Sequence, residues 1–285
     1  MTEPLRFAIL TDTHFVPEGQ TIYGFDPRAM LGHALGFIRD KLPRVDFLIV
    51  TGDLTDRAEP EAYRSLAGML SGLPFPVIAM LGNHDRRAPF RQAFPLAPDT
   101  GGFVQTVRVL DQATIIALDT LCEDEPGHHG RLCGVRLDFL EEAMAAAPRD
   151  RPVLLFQHHP PLDLSIPPMD AIRMVDAEAE LAVFERVGRK PDHMFFGHVH
   201  RPISGSWEGI PFHLQRALMH QVAARFDEPG RIRGAVEPPD LGYVSVSRGN
   251  VVIHSCPFLY DGPVFDLESP AAAAAASPAE LGVHG

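Results

Sequence analysis

The stretch VIAMLGNHD, residues 77–85, joins a short apolar run to a group of metal-ligating side chains. Five apolar residues bounded by proline and glycine are typical of a buried strand. Asn83, His84 and Asp85 follow directly, and amide, imidazole and carboxylate groups are all ligands for divalent metals. The stretch therefore predicts a buried strand that delivers polar side chains to one end of a sheet.

Four further motifs repeat this arrangement, each after an apolar run: Asp12-Thr13-His14, Gly52-Asp53, His158-His159-Pro160 and Gly197-His198-Val199-His200. Ligands of α/β sheets gather beyond the carboxyl ends of the strands. We therefore expect the five motifs to converge on one sheet edge. Taken alone, an Asp-X-His or Gly-Asp pair recurs by chance and a buried His158 is more often a core residue. Their joint occurrence in this order favours one metal site.

Seven side chains in these motifs are candidate ligands for two metal ions: Asp12, His14, Asp53, Asn83, His158, His198 and His200. If Asp53 bridges both ions, the set makes about eight contacts, and a metal-bridging hydroxide completes the shells. Two divalent ions, two carboxylates and one hydroxide leave a net charge of about +1, which attracts a phosphodiester anion. Nitrogen and oxygen ligands without a thiolate favour Mn, Fe, Co or Zn.

The composition of the whole chain limits its partners. A net charge of −12 with no Lys/Arg-rich run argues against extended nucleic acid. The apolar runs are strand-length, so no membrane span is expected, and the N-terminus lacks the pattern of a secretion signal, which favours a cytoplasmic protein. Three cysteines, Cys122, Cys133 and Cys256, argue against a disulfide framework. Cys122 and Cys133 bracket a loop and could pair, although free thiols are favoured.

Strand-like and helix-like segments alternate through the first two thirds of the chain, which predicts a layered α/β fold with largely parallel strands. Asp26 and Pro27 predict the N-cap and first position of a helix. We expect a single domain over residues 1–268. Within it, residues 203–256 are expected to be a β-rich cap or oligomerisation segment. Residues 269–285 are rich in Ala and Pro and predict a loosely held tail.

The five motifs resemble the signature of the calcineurin-like metallophosphoesterase superfamily, and the resemblance extends over roughly residues 5–202. It implies a four-layer αββα sandwich and two divalent ions. One ion would be held by Asp12, His14, Asp53 and His200. The other would be held by Asp53, Asn83, His158 and His198.

A closer resemblance, to class III cyclic-nucleotide phosphodiesterases and the bacterial glycerophosphodiesterase, is carried by Asp12-Thr13-His14-Phe15, Tyr23-Gly24-Phe25 and His220-Gln221-Val222. It implies that Tyr23, Asn83, His84 and His220 contact the substrate and that His84 assists the leaving group. The catalytic residues would then be His84 and Asp53. Two alternatives stay open: His84 only orients Asn83 or Asp85, and Tyr23 only packs beside Phe25.

These observations predict a two-metal-dependent hydrolase of small phosphodiesters, either cyclic nucleotides or glycerophosphodiesters. Two alternatives stay open: a phosphomonoesterase of the same fold, and a non-catalytic scaffold used for protein interaction. Protein phosphatases of this superfamily fit less well, because Ala58 stands where they carry glycine after Asp-Arg. Apolar residues between Phe212 and Phe226 predict a homo-oligomer.

Overall fold

Two stacked β-sheets lie between two layers of helices in the computed structural model, which describes residues 3–95, 97, 100–226, 230–262 and 264. The proposed tail at 269–285 lies outside the described residues. The strands are β1 (Leu5–Leu10), β2 (Phe47–Val50), β3 (Val77–Ala79), β4 (Thr106–Val109), β5 (Thr114–Ala117), β6 (Val153–Phe156), β7 (His193–Phe196), β8 (Ile203–Trp207), β9 (Ile210–Leu214), β10 (Gln221–Val222), β11 (Gly234–Ala235), β12 (Leu241–Ser247) and β13 (Asn250–Cys256). The helices are α1 (Pro27–Lys41), α2 (Pro60–Ser71), α3 (Arg87–Ala93), α4 (Gly134–Ala146), α5 (Pro167–Asp170) and α6 (Ala177–Val187).

The first sheet has the order β13-β12-β1-β2-β3 and the second has the order β4-β5-β6-β7-β9-β8. The three strands β1, β2 and β3 pair in parallel, as do β5, β6, β7 and β9. Antiparallel strands complete each sheet, because β12 pairs with β1 and β8 pairs with β9. This confirms the layered α/β architecture and the β-rich C-terminal portion.

Three apolar layers hold the four structural layers together. Side chains alternate along a strand, so β1 turns Phe7 and Ile9 to one face and Ala8 and Leu10 to the other. The first pair packs between the sheets, where the Phe7 ring lies 6.0 Å from that of Phe156 on β6. The second pair packs with buried residues of α1 and α2. Buried residues of α4 and α6 join the outer face of the second sheet in the same way.

Helix α1 begins where the sequence predicts it. The Asp26 carboxylate accepts a hydrogen bond from the backbone N–H of Arg28 at 2.9 Å, and Pro27 occupies the first turn. Between residues 3 and 264, no described helix is both long enough and apolar enough to cross a bilayer.

The five polar motifs follow β1, β2, β3, β6 and β7, so they come from both sheets. This differs from the expected convergence on one sheet edge. Because the sheets are stacked, the carboxyl ends of the parallel strands of one sheet lie against those of the other. The polar loops therefore meet at a single end of the sandwich.

Candidate metal centre and substrate pocket

The first group of side chains at this end joins Asp12, His14, Asp53 and His200, with one ligand atom of each within 4.8 Å of the others. The Nε2 atoms of His14 and His200 are 3.2 Å apart, and His200 Nε2 is 3.2 Å from Asp12 Oδ1. Asp53 Oδ2 lies 3.8 Å from His14 Nε2. All four side chains are buried. These are the four residues that the family resemblance assigns to one metal ion.

The second group shares Asp53 with the first. The Oδ2 atom that faces His14 also lies 3.4 Å from His158 Nε2, which is 3.3 Å from Asn83 Oδ1. The ring of His198 has its centroid 5.2 Å from that of His158. One carboxylate oxygen of Asp53 therefore stands between the two groups, where a bridging ligand belongs.

Left-handed backbone conformations are concentrated at these side chains. Non-glycine residues with positive φ are uncommon, and each costs about 1–3 kcal/mol, so they persist where the surroundings impose them, often at functional sites. Five of the seven candidate ligands have such a φ: Asp12 (51°), His14 (41°), Asp53 (46°), His198 (68°) and His200 (54°).

Gly52 shows how closely the motifs pack. Its φ is +107°, and a Cβ atom at this position would lie 2.4 Å from His158 Nδ1. A side chain would therefore be both strained and in collision with a candidate ligand. The glycine of the second motif thus allows the fourth motif to approach it.

Backbone carbonyls orient the imidazoles. The Nδ1 atoms of His158 and His200 each lie 2.8 Å from a carbonyl oxygen, those of Thr51 and His220 respectively. An Nδ1–H that donates to a carbonyl leaves Nε2 free to face the centre, the usual arrangement of a metal-bound imidazole. His198 has the opposite orientation, because its Nε2 lies 3.1 Å from a carbonyl and leaves Nδ1 free.

The charges of the two groups favour cations. Burial alone would raise the pKa of Asp53, but the imidazoles of His158 and His84 hold it well below its usual range. Burial would likewise lower the pKa of His158, but the Asp53 carboxylate raises it to about 9. Burial would raise the pKa of Asp12, but the neighbouring His200 imidazole lowers it to about 2. Carboxylates that stay ionised and attract protons onto their neighbours also attract metal ions.

His84 lies beside the centre and is held from both sides. Its backbone N–H donates to Asp53 Oδ1 at 2.9 Å, and its ring Nδ1 donates to the Asp56 carbonyl at 2.8 Å. The Nε2 atom is thereby left for a ligand in the adjoining cavity. Burial would lower the pKa of His84, but Asp53 and Asp56 raise it above its ordinary value of 6.5.

A cavity of about 660 Å³ opens above the centre, a size typical of small-molecule sites. Its lining includes Asn83 and His84 together with the two predicted substrate residues, Tyr23 and His220, whose rings lie 4.7 Å apart. Tyr23 is 74% exposed at the mouth. Apolar residues complete the wall: Phe25, Met169, Ile172, Val222, Ile232, Ala235 and Val236.

Sequence reasoning missed two residues of this cavity. Asp56 places Oδ1 3.5 Å from His14 Nδ1 and supplies the carbonyl that orients His84. His128 is exposed in the loop after β5, but its Nδ1 lies 2.9 Å from Asn83 Nδ2. A polar histidine pair in a loop was the only signal, and it does not reveal which partner the loop reaches.

Asp85, the last residue of the third motif, does not face the centre. Its buried carboxylate accepts hydrogen bonds from the backbone N–H groups of Gly82 and Leu54 and from the hydroxyl of Tyr63, at 2.8–3.0 Å. It therefore ties the second and third motifs together. Asn83 does not cap the following helix, because α3 begins at Arg87 and its N-cap is Arg86.

The residues present fit divalent metal ions. The donor set is carboxylate, imidazole and amide oxygen, the free ring nitrogens converge, and one carboxylate is shared. Such N/O sets suit Mn, Fe, Co or Zn.

Comparisons with known proteins agree with this geometry. A family model described as calcineurin-like phosphoesterase matches residues 5–202. The chain is 54% identical to a probable cyclic nucleotide phosphodiesterase of Rhodopseudomonas palustris, over 92% of this chain and 96% of that protein. It is 30% identical to a glycerophosphodiester phosphodiesterase of Enterobacter lignolyticus, over 76% of this chain and 79% of that protein. A purple acid phosphatase of yellow lupin shares the fold, with a TM-score of 0.61 at 14% identity over 93% of this chain and 53% of the lupin chain.

Proposed function

The chain belongs to the calcineurin-like phosphoesterase family, and on this basis we propose that it hydrolyses small phosphodiesters with two divalent metal ions. The observation that carries the proposal is Asp53 Oδ2, which lies 3.8 Å from His14 Nε2 in one group and 3.4 Å from His158 Nε2 in the other. Asp12, His14, Asp53 and His200 would hold one ion. Asp53, Asn83, His158 and His198 would hold the second.

When bound, such a pair of ions supplies an activated water and neutralises charge on the phosphoryl group. The chain itself supplies the position of the substrate and the proton for the leaving group. Asn83 and His84 lie at the junction between the centre and the cavity, where a phosphate must sit. With Nδ1 engaged by the Asp56 carbonyl, His84 Nε2–H is the proton donor to the leaving oxygen.

The raised pKa of His84 suits this role. Asp53 and Asp56 favour the protonated imidazole, which is the form that donates a proton. The Asp56 carbonyl fixes the ring through Nδ1, so the donor keeps its orientation before the substrate arrives. The alternative, in which His84 only orients Asn83 or Asp85, does not account for the position of its Nε2 atom at the cavity.

Among small diesters, we favour a cyclic nucleotide. The phosphate-binding end of the cavity is polar, whereas its outer wall carries Phe25, Ile172, Ile232 and Val236. A nucleobase presents a flat, largely apolar face to such a wall, and a glycerol group does not. The name of the Rhodopseudomonas relative supports the same class of substrate.

The test compares the wild-type protein and Asp53→Ala by metal analysis and by turnover of bis-p-nitrophenyl phosphate and p-nitrophenyl phosphate with added Mn²⁺ or Co²⁺. We expect diesterase activity in the wild type, and loss of activity and at least one metal in the variant. The control is Asp138→Ala on the exposed face of α4, which should change neither. Full metal content and normal turnover in Asp53→Ala would overturn the shared-ligand assignment. Preference for the monoester would favour a phosphomonoesterase, and no turnover of either would favour a scaffold.

Substrate class is tested by a panel of cyclic AMP, cyclic GMP and glycerophosphodiesters, compared by kcat/KM with one metal at fixed concentration. The favoured assignment requires higher values for the cyclic nucleotides. Higher values for the glycerophosphodiesters would reverse it and leave the diesterase proposal standing.

A cytoplasmic location and self-association stay part of the proposal. Of the apolar residues that predict an oligomer, Phe212, Leu218 and Met219 are buried within the chain. Phe226 is 61% exposed, and Ile232 and Val236 are exposed beside the cavity mouth. These exposed residues are the surface on which a second copy would pack.

A further inference from the structure

A second group of metal-ligating side chains lies in the loop between β5 and α4. Cys122, Glu125 and His129 each place one ligand atom within 4.8 Å of the other two. His129 Nε2 is 3.6 Å from Glu125 Oε2. None of the three contributes to the centre described above, and all three cysteines of the chain are free thiols. From this arrangement we infer that Cys122, Glu125 and His129 form a separate zinc site.

The distances suit zinc with only a small adjustment. A tetrahedral Zn²⁺ ion with Zn–S of about 2.3 Å and Zn–N or Zn–O of about 2.0 Å holds its ligand atoms roughly 3.3–3.6 Å apart. The histidine–carboxylate pair already has this separation. The remaining ligand atoms lie within 4.8 Å of one another, so small side-chain rotations would close these distances, and the fourth position is left to water.

The donor types select the metal. A thiolate excludes Mg²⁺ and Ca²⁺, which take oxygen ligands, and one sulfur with one imidazole and one carboxylate suits Zn²⁺. The thiolate and the Glu125 carboxylate together balance the charge of one divalent ion.

Neighbouring groups orient the ligands as the outer shell of a metal site does. Arg131 forms an ion pair with Glu125 Oε1, which leaves Oε2 directed at His129. On the other side of that ring, Gly127 has a φ of +132°, and a Cβ there would lie 3.1 Å from His129 Nδ1. The glycine therefore leaves room for the imidazole.

The zinc site would act on the substrate pocket through the loop itself. His128 is next to the proposed ligand His129. Its Nδ1 atom lies 2.9 Å from Asn83 Nδ2, and its carbonyl oxygen lies 3.1 Å from His159 Nε2. An ion that ties residues 122, 125 and 129 together would hold His128 against Asn83. Its role is thus to fix one side of the pocket.

Cobalt distinguishes this site from the main centre, because only a thiolate ligand produces a sulfur-to-cobalt charge-transfer band in the near ultraviolet. The proposed ligands of the main centre contain no sulfur. The chain is stripped of metal, loaded with Co²⁺ alone, and measured for this band and for cobalt stoichiometry. We expect the band in the wild type and its displacement by added Zn²⁺.

Cys122→Ser should remove the band, whereas the matched variants Cys133→Ser and Cys256→Ser should keep it. His129→Asn provides a second variant that leaves the thiol in place, and it should weaken cobalt binding at this site at least about 100-fold. Circular dichroism verifies that each variant is folded. No band in the wild type, a band that survives Cys122→Ser or depends on Cys133, or unchanged affinity in His129→Asn would each overturn the inference.

Discussion

Replacing Gly82 with alanine should damage the centre without removing any of its ligands. A Cβ atom at this position would lie 2.2 Å from Asp53 Oδ1, 2.5 Å from the Asp53 backbone nitrogen and 2.6 Å from His158 Nε2. Gly82 does not have a positive φ, so alanine introduces no backbone strain and the effect is purely steric. Because one contact is with backbone, rotation of a side chain cannot relieve it, and the second and third motifs must separate.

Overpacking of this kind costs about 1–3 kcal/mol of folding free energy. A displacement of about 1 Å at a reacting centre costs roughly 100-fold in rate. We therefore expect a loss of kcat/KM of about that size, with reduced metal content and an unfolding free energy lowered by about 1–3 kcal/mol.

The control is Gly68→Ala on the exposed side of α2, where a Cβ meets nothing within 4 Å. This change should stabilise the helix by about 0.5–1 kcal/mol and leave activity unchanged. Urea denaturation, metal analysis and steady-state kinetics on both variants provide the measurements. Wild-type metal content and kcat/KM in Gly82→Ala would refute the close packing of Asp53 and His158 around this glycine.

Three further predictions concern the leaving group, the pH dependence of stability and self-association. His84→Ala should retain metal and lose about 10²–10⁴-fold in turnover of diesters with alkoxide leaving groups, and less with nitrophenolate; equal losses would exclude proton donation. Burial raises the pKa of Glu180 to about 8 despite the Gln157 amide, so the folded state binds a proton that the unfolded state releases above about pH 4.3. Stability should therefore fall as pH rises from about 4.3 to 8, by up to about 1.4 kcal/mol per pH unit, and Glu180→Gln should flatten this slope in urea titrations; an unchanged slope would contradict it. Light scattering at micromolar concentration should show a homo-oligomer, and a fully active monomer would exclude an active site that needs a second subunit.

Local patterns predicted the elements that build the centre. The apolar run from Leu5 to Leu10 is β1 in full, and the helix predicted after Asp26 begins at Pro27. Strand ends followed by polar residues also indicated which side chains would meet. These signals are reliable because a buried strand needs continuous apolar residues, and because a helix start needs an acceptor for its free N–H groups.

Pairings between distant segments could not be predicted in this way. Gly242 of β12 pairs with Ile9 of β1, although 242 − 9 = 233 positions separate them in the chain, and nothing in either strand encodes that pairing. The same holds for β9, which inserts between β7 and β8. Loop contacts such as His128 with Asn83 have no periodicity and depend on the whole fold. The sequence therefore predicted a set of candidate ligands, and the structure supplied the residues around it.

The segment between β9 and β10 explains how the C-terminal portion reaches the pocket. Within it, the backbone N–H of Leu218 donates to the carbonyl of Thr11, next to the first motif, at 3.0 Å. This contact sets His220 beside His200, whose Nδ1 donates to the His220 carbonyl. The segment that closes the pocket thus also orients a candidate ligand. A change in residues 217–222 should consequently alter metal binding and substrate binding together.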